Sequence, residues 1–167
     1  MNRSLLIVDG YNVLHALFPG ASKEDLFARR EWLADRLVSL VALQGASAVL
    51  VFDGHGAQST SCRPVKGAPI EVCFAGGRFT ADTLIAKRIA EQPADVRVTV
   101  VSADQEVQRT ATRAGVSRMT PRELGAQLTA PSEALDSPAE ASTIPTRLED
   151  KVDVETLRKL EELRRKK

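Results

Sequence analysis

The sequence lacks an excess of charge of either sign, a long apolar run at its start and a cysteine pair with metal-ligand spacing. Its 23 basic and 22 acidic side chains give a formal net charge of +1, so any site for a polyanion must be local. The first apolar run, residues 5–8, is too short for a signal-peptide core or a membrane span, and we expect no membrane partner. Cys62 and Cys73 form no CxxC pair, and we expect reduced thiols in a cytoplasmic protein.

The motifs of several enzyme classes are also missing. The sequence has no GxxxxGK[ST] loop of the kind that binds nucleoside triphosphates. The two histidines, His15 and His55, have no recognisable partner spacing for a Ser-His-Asp or Cys-His nucleophile set. Carboxylates are therefore the side chains left to carry chemistry.

Apolar runs of strand length alternate with helical patterns in the first two-thirds of the chain. The predicted strands are residues 4–9, 48–53, 70–75 and 97–102, and the predicted helices are residues 23–44, 81–91, 103–114 and a segment that begins at Thr120. Ser102 is interpreted as the start of the third helix and Gly115 as its end. This alternation predicts an α/β fold with a mainly parallel sheet and helices on both faces.

Two segments differ from this alternation. Residues 54–67 are rich in glycine and serine, and we predict a flexible loop at the rim of the sheet. After Leu128, prolines interrupt a stretch rich in alanine, serine and glutamate. The predicted organisation is a folded domain over residues 1–128, a disordered linker over 129–147 and a charged helix over 148–167. The basic residues at the end of that helix either complement the helix dipole or contact phosphate, and both interpretations stay open.

Four aspartates fall where this architecture binds ligands. Asp9 and Asp53 end two strands, Asp104 lies two residues beyond a third, and Asp82 is near the start of the second helix. Because the carboxyl ends of parallel strands meet at one sheet edge, we expect these carboxylates to converge. Like charges raise one another's pKa unless a cation compensates, and a hard ion such as Mg²⁺ is the simplest compensation. The pattern therefore predicts metal-assisted phosphodiester hydrolysis.

Each aspartate also has an ordinary structural interpretation. Asp82 and Asp104 both lie in the first turn of a predicted helix, where unpaired N–H groups favour any carboxylate. Asp9 and Asp53 each precede a glycine, and such pairs commonly form turns. Asp9 is the hardest to explain in this way, because it follows an apolar strand and Asn12 projects from the same tight turn.

Together these segments resemble the NYN domain of the PIN-like nucleases, most closely its YacP-like bacterial branch. The resemblance covers residues 4–125 and rests on four ordered blocks, Asp9-Gly10-Tyr11-Asn12, Val51-Phe52-Asp53, Thr80-Ala81-Asp82 and Ser102-Ala103-Asp104, followed by Gln108 and Gly115. It implies a PIN-like three-layer α/β/α sandwich and metal-dependent endoribonuclease activity with Mg²⁺ or Mn²⁺. It also implies that Asp9, Asp82 and Asp104 bind metal, and that Asn12 completes the catalytic set by orienting the site.

One position departs from the YacP-like pattern. Phe79 stands three residues before Asp82, where that pattern often has a glutamate. The number of bound ions is therefore open; Asp53 is the predicted additional metal ligand, and Glu71 and Glu106 are weaker candidates. The alternative function is a non-catalytic RNA-binding NYN domain with a degenerate metal site.

The predicted RNA contacts lie around the loop and on the second helix. Phosphates would be bound by Arg63, Lys66, Arg78, Lys87 and Arg88. Tyr11 and Phe79 are the candidates for stacking on unpaired bases. Single-stranded or looped RNA, including mRNA, is the expected partner; the ribosome is a conceivable one, and the oligomeric state is open. A phospho-accepting receiver domain with Asp53 as acceptor is a third interpretation, but it predicts paired acids after the first strand, where glycine follows Asp9.

Overall fold

Six strands and five helices lie along residues 3–130, the part of the chain that the computed structural model describes. In chain order they are β1 (Arg3–Asp9), α1 (Gly10–Leu17), α2 (Lys23–Gln44), β2 (Ser47–Asp53), β3 (Ser61–Pro64), β4 (Ile70–Ala75), α3 (Ala81–Ala90), β5 (Val96–Val101), α4 (Gln105–Ala114), β6 (Ser117–Met119) and α5 (Pro121–Thr129). The predicted helix 148–167 and all but the first two residues of the predicted linker 129–147 lie outside the described residues. Within residues 3–130, no helix is long and apolar enough to cross a membrane.

The strands form one sheet with the order β3-β4-β2-β1-β5-β6. Every neighbouring pair is parallel except β3 and β4, which form an antiparallel hairpin. The predicted α/β fold with a mainly parallel sheet is therefore confirmed. Because β2, β1 and β5 are adjacent and parallel, their carboxyl ends lie side by side at one edge of the sheet.

Two apolar cores cover the two faces of this sheet. Leu6 and Val8 of β1 pack in the core shared with α1, α2 and α5, whereas Leu5 and Ile7 pack in the core shared with α3 and α4. Successive side chains of a strand point to opposite faces, so a central strand between two helical layers is apolar at every position. This packing makes the fold a three-layer sandwich.

Side-chain caps and a left-handed glycine define the ends of three helices. Ser22 and Asp25 form a reciprocal capping box at the start of α2, and Thr120 and Glu123 form another at the start of α5. Gly115 ends α4 in the left-handed conformation, with φ of 71°. The predicted start of α4 is wrong: the helix begins at Gln105 with Asp104 as its N-cap, because the Asp104 carboxylate accepts the first free N–H groups.

Three elements were not predicted: α1, β3 and β6. α1 follows β1 without a connecting loop, and a Cβ at Gly10 would overlap the ring of Phe52, so glycine is what allows this close turn. β3 lies inside residues 54–67, which we predicted to be a loop. It is an edge strand that pairs only with β4. Strands this short carry little periodic signal.

Cys62 and Cys73 form a disulfide, so the prediction of two reduced thiols is wrong. The residues are paired in register on β3 and β4, with Cα atoms 4.1 Å apart. The antiparallel hairpin brings them together, and that pairing could not be inferred from their separation of 11 positions.

Candidate active site

The carboxyl edge of the sheet opens into a cleft of about 890 Å³ that is lined by three of the four predicted aspartates. Asp9 ends β1, Asp53 ends β2, and Asp82 lies in the first turn of α3. The remaining cleft residues are Tyr11, Asn12, His15, Lys23, Glu24, Leu26, Phe27, His55 and Ala81. Asp104 does not line the cleft, but its charge reaches both Asp9 and Asp82. We refer to these four aspartates as the acidic cluster.

Asp9 is the buried member of the acidic cluster, with a relative exposure of 8%. The pKa of its carboxyl is raised from 3.8 to about 6, mainly because burial disfavours the charged form, with smaller contributions from the negative charges of Asp82 and Asp104. Hydrogen bonds from the Ser102 hydroxyl and the Asn12 backbone N–H act in the opposite direction. The carboxylate of Asp9 is thus held where its charge is only partly compensated by the protein.

Asp82 has the same kind of perturbation in a more exposed position. Its pKa is raised by the partial burial of its carboxyl and then by the negative charges of Asp104, Asp53 and Glu106, in that order. Among the described residues, none of the ion pairs formed by lysine or arginine involves the acidic cluster. The mutual repulsion of these carboxylates is therefore not offset by any ion pair found among the described residues.

Hydrogen bonds tie the turn after β1 to the segment after β5. The Asn12 side-chain oxygen accepts from the backbone N–H of Ala103 at 2.7 Å. The Ser102 hydroxyl donates to Asp9 Oδ2 at 3.2 Å and accepts from the backbone N–H of Asp104 at 3.0 Å. The Asn12 side-chain oxygen is therefore already engaged, and it links the turn after β1 to the segment that precedes Asp104. Ser102 was missed as a site residue because its position before a helix suggested a capping role.

Asp104 is the N-cap of α4 and also lies close enough to Asp9 and Asp82 for its charge to act on them. Its Oδ1 accepts from the backbone N–H groups of Glu106 at 2.8 Å and Val107 at 3.4 Å, which is the helix-start arrangement that its sequence position allowed. Both hydrogen bonds use the same oxygen. The second oxygen accepts no hydrogen bond from the described residues.

Tyr11 lines the cleft but is half-buried. Its ring packs edge-on against Phe52, with centroids 5.0 Å apart, and lies 5.2 Å from the His55 ring. Phe27, which sequence reasoning missed, exposes 57% of its surface in the same cleft. The available signal was that Phe27 follows Leu26 on α2 and so falls outside the buried stripe of that helix.

The predicted basic contacts do not line the acidic cleft. Arg63, Lys66 and Arg78 are exposed on β3 and the loops around it. Lys87 is paired with Glu91 at 3.8 Å on the surface of α3. For these four, RNA binding stays a prediction about a surface outside the cleft.

Arg88 has a different environment from the one predicted. Its guanidinium is 2.9 Å from Glu71 and lies 3.3 Å from the sulfur of Cys62 and 3.4 Å from that of Cys73. Cys62, Glu71 and Cys73 are the one group of metal-ligating residues, within residues 3–130, whose ligand atoms all lie within 4.8 Å of one another. The disulfide and the Arg88 cation already satisfy this group, which we call the Arg88 cluster.

The chemistry of the donors favours a hard cation at the acidic cluster. It offers carboxylate oxygens only, which Mg²⁺ and Mn²⁺ prefer, and it includes a buried charge without a cationic partner among the described residues. Its carboxylates are more widely spaced than the ligand atoms of the Arg88 cluster, and Mg²⁺ commonly retains several waters between itself and the protein. The residues therefore fit such an ion.

Comparisons with known proteins give two kinds of match. The family model described as the YacP-like NYN domain matches residues 6–165. A crystal structure of Rae1 (YacP) from Bacillus subtilis is 23% identical, with 96% of this chain and 94% of that chain covered and a TM-score of 0.59. A crystal structure of a single-residue variant of Rae1 is 24% identical over 75% of this chain and 74% of that chain, with a TM-score of 0.62. These two similarities show a shared fold. A search of curated proteins finds no match.

Proposed function

Since the chain belongs to the YacP-like NYN domain family, a family of PIN-like nucleases, we propose that it is a metal-dependent endoribonuclease whose active site is the acidic cluster. The observation that carries the proposal is the buried carboxylate of Asp9, held with three further aspartates at the ligand-binding edge of the sheet. Retaining an uncompensated buried charge costs stability, and a bound cation offsets that cost.

In this proposal Asp9, Asp82 and Asp104 hold Mg²⁺ or Mn²⁺, and Asp53 adds negative charge from the neighbouring strand. When bound, such an ion lowers the pKa of a water molecule and neutralises charge that develops on phosphorus. Ser102 holds the Asp9 carboxylate through its hydroxyl. Asn12 fixes the segment that carries Asp104 by accepting from the Ala103 N–H.

RNA is the proposed substrate because the chain belongs to a nuclease family and because an open cleft of about 890 Å³ admits an unpaired strand. Lys23 lines that cleft and is available to a phosphate. Arg63, Lys66, Arg78 and Lys87 would extend the contact beyond it. The proposed location is the cytoplasm, where RNA is abundant, and this part of the proposal does not depend on the state of the cysteines.

A non-catalytic RNA-binding domain is the second candidate, and two observations favour it. Phe79 occupies the position where a further acid is expected, and it is an exposed ring with no metal-binding atom. The aspartates of the acidic cluster also lack the close spacing that the Arg88 cluster has. Cleavage separates this candidate from the first.

The test is cleavage of a labelled, partly structured RNA by the purified full chain in Mg²⁺, in Mn²⁺ and in chelator. We expect internal cleavage that needs metal and that Asp9→Asn and Asp82→Asn each reduce by at least about 100-fold. Asp95→Asn is the matched control, because Asp95 is exposed next to the start of β5, at the opposite edge of the sheet.

The outcomes distinguish the two candidates. RNA binding without cleavage in both metals would overturn the nuclease proposal in favour of the binding domain. Cleavage that persists in both active-site variants would place the catalytic residues elsewhere. All variants are first compared with the unsubstituted chain by thermal unfolding, so that loss of fold is not mistaken for loss of function.

A further inference from the structure

Phe27 is the most exposed large apolar side chain among the described residues, and it lies in the acidic cleft. It belongs to the second turn of α2, whose buried stripe contains Leu26. An isolated exposed apolar residue is common on protein surfaces and needs no explanation. Phe27 differs because it shares a concave surface with Asp9 and Asp82, which hold the proposed chemistry.

One face of the Phe27 ring packs against the side chain of Arg30. The guanidinium of Arg30 lies over it, 3.4 Å from the ring centroid, and Arg30 Nε donates to the Phe27 carbonyl at 3.2 Å. The same guanidinium lies 5.0 Å from the Phe74 ring and 5.8 Å from the Phe52 ring, which stack on each other across β2 and β4. One face of Phe27 is therefore covered by a planar cation that is itself anchored to the sheet.

This support has an energetic consequence for binding. A side chain that is already held in one orientation loses little conformational entropy when a ligand stacks on it. Of the two rings that the sequence suggested for stacking, only Tyr11 lines the cleft, and it is half-buried with its ring against Phe52 and offers less free surface. Phe27 is thus the better-placed aromatic surface in the cleft.

We propose that the free face of Phe27 is a stacking platform for an unpaired nucleobase of the RNA strand that enters the acidic cluster. This inference rests on the proposed function, because that function supplies the occupant of the cleft. A nucleobase fits the chemistry better than an apolar protein side chain, since Lys23 and a cation-binding acidic cluster on the same surface favour a ligand with phosphates. Every base has a π-face, so the platform would be tolerant of sequence.

The test measures RNA binding with short unstructured RNAs that carry 2-aminopurine at each position in turn. All measurements use the full chain with Asp82→Asn, so that the probe is not cut. We expect one or two neighbouring positions to show quenched fluorescence on binding. Phe27→Ala should remove that quenching and weaken binding about 5- to 150-fold, whereas Phe27→Trp should keep both.

Leu43→Ala is the matched control. Leu43 lies on the same helix, is similarly exposed at 54%, and is distant in sequence from the residues that line the cleft. Its substitution should leave affinity and quenching unchanged. Both truncations remove exposed surface, so the thermal midpoint should stay close to that of the parent chain and a binding loss cannot be attributed to unfolding.

The binding measurement and the cleavage measurement fail separately. If the unsubstituted chain cleaves RNA but Phe27→Ala binds with the same affinity and the same quenching, the platform is overturned and the nuclease proposal stands. If the unsubstituted chain does not cleave but Phe27→Ala loses affinity and quenching, the platform stands and hydrolysis is overturned. Absence of any RNA binding overturns the platform.

Discussion

The acidic cluster and the Arg88 cluster both gather groups that can bind a metal, yet they are built on opposite principles. The Arg88 cluster is compact: Glu71 pairs with Arg88 at 2.9 Å, and the two cysteines are bonded to each other. The acidic cluster is more open, and no lysine or arginine of the described residues pairs with it. Close spacing of potential ligands therefore marks the satisfied cluster rather than the one we propose to be functional.

Charge balance is therefore a better guide to a functional site than the proximity of potential ligands. A buried charge without a partner is costly, and a protein that retains one needs compensation from outside its own chain. The rise of the pKa of Asp9 to about 6 reflects the cost of ionising this buried carboxyl. The Arg88 cluster needs no such compensation, so we assign it a structural role.

The largest effect expected from this comparison is on cleavage. Asp104→Asn should keep the N-cap hydrogen bonds, because asparagine caps helices as well as aspartate does, but it removes a charge from the acidic cluster. We expect cleavage to fall by at least about 100-fold with little change in thermal midpoint. In the Arg88 cluster, Glu71→Gln should leave the cleavage rate within about twofold of the parent, since it is remote from the proposed chemistry.

A substitution that separates the two roles of Asp104 completes this test. Asp104→Ala removes both charge and cap, and should lower the free energy of unfolding by about 1 kcal/mol beyond the asparagine variant. Equal cleavage by Asp104→Asn and the parent chain would mean that Asp104 is only a helix cap. Steady-state cleavage and thermal unfolding on the same preparations give both quantities.

The next effect concerns stability in chelator. The pKa of Asp9 is raised from 3.8 to about 6 in the native chain, so the native state binds this proton more tightly than the unfolded chain does. Titration of Asp9 therefore does not change the free energy of unfolding below about pH 4. It lowers that free energy as pH rises from about 4 to about 6, and the loss stays constant at higher pH. Asp9→Asn should therefore stabilise the metal-free protein by about 3 kcal/mol near pH 8, as an upper value.

The control for this prediction is its dependence on pH and metal. The gain in free energy of unfolding from Asp9→Asn should shrink towards zero near pH 4, where the parent carboxyl is protonated. Added Mn²⁺ should stabilise the parent chain and have little effect on the variant, because only the parent retains the buried ligand. A variant that is less stable than the parent at every pH in chelator would contradict the idea that Asp9 is held against a cost.

The Arg88 cluster should respond in the opposite direction. The disulfide closes a loop of 11 positions, and its loss in Cys62→Ser or Cys73→Ser should lower the free energy of unfolding by about 2–3 kcal/mol. Metal-induced stabilisation should remain at the parent value in both variants. Loss of that stabilisation would show that the Arg88 cluster, and not the acidic cluster, binds the metal.

Much of the fold was predictable because strongly patterned segments determine it. The helix over residues 23–44 and the strand over 70–75 have the predicted bounds, and Asp9 and Asp53 stand at the ends of adjacent strands as expected. Short elements such as β3 and β6 gave no clear signal, since three or four residues are too few to establish a period.

The site was predictable in composition but not in detail. Strand ends locate the aspartates, because parallel topology sends them to one edge. The pairing of Cys62 with Cys73 and of Arg88 with Glu71 depends on the β3–β4 hairpin, which local sequence does not reveal. The apolar stripe of α2 puts Phe27 outside the buried positions, but its place in the acidic cleft depends on how the whole helical layer packs against the sheet.

The smallest expected effect concerns the hydrogen bond between Ser102 and the Asp9 carboxylate. Ser102 donates to Asp9 at 3.2 Å, and this hydrogen bond lowers the pKa of that carboxyl against the effect of burial. Ser102→Ala should raise the pKa of Asp9 further. Because the ionised form of Asp9 is needed to bind metal, the acid side of the cleavage profile should move to higher pH by about one unit. Ser39→Ala is the control, since Ser39 bonds only its own helix, at the Asp35 carbonyl. A lower thermal midpoint with an unmoved pH profile would reduce Ser102 to a structural role, whereas a shifted profile would show that the chain tunes the charge of its own buried ligand.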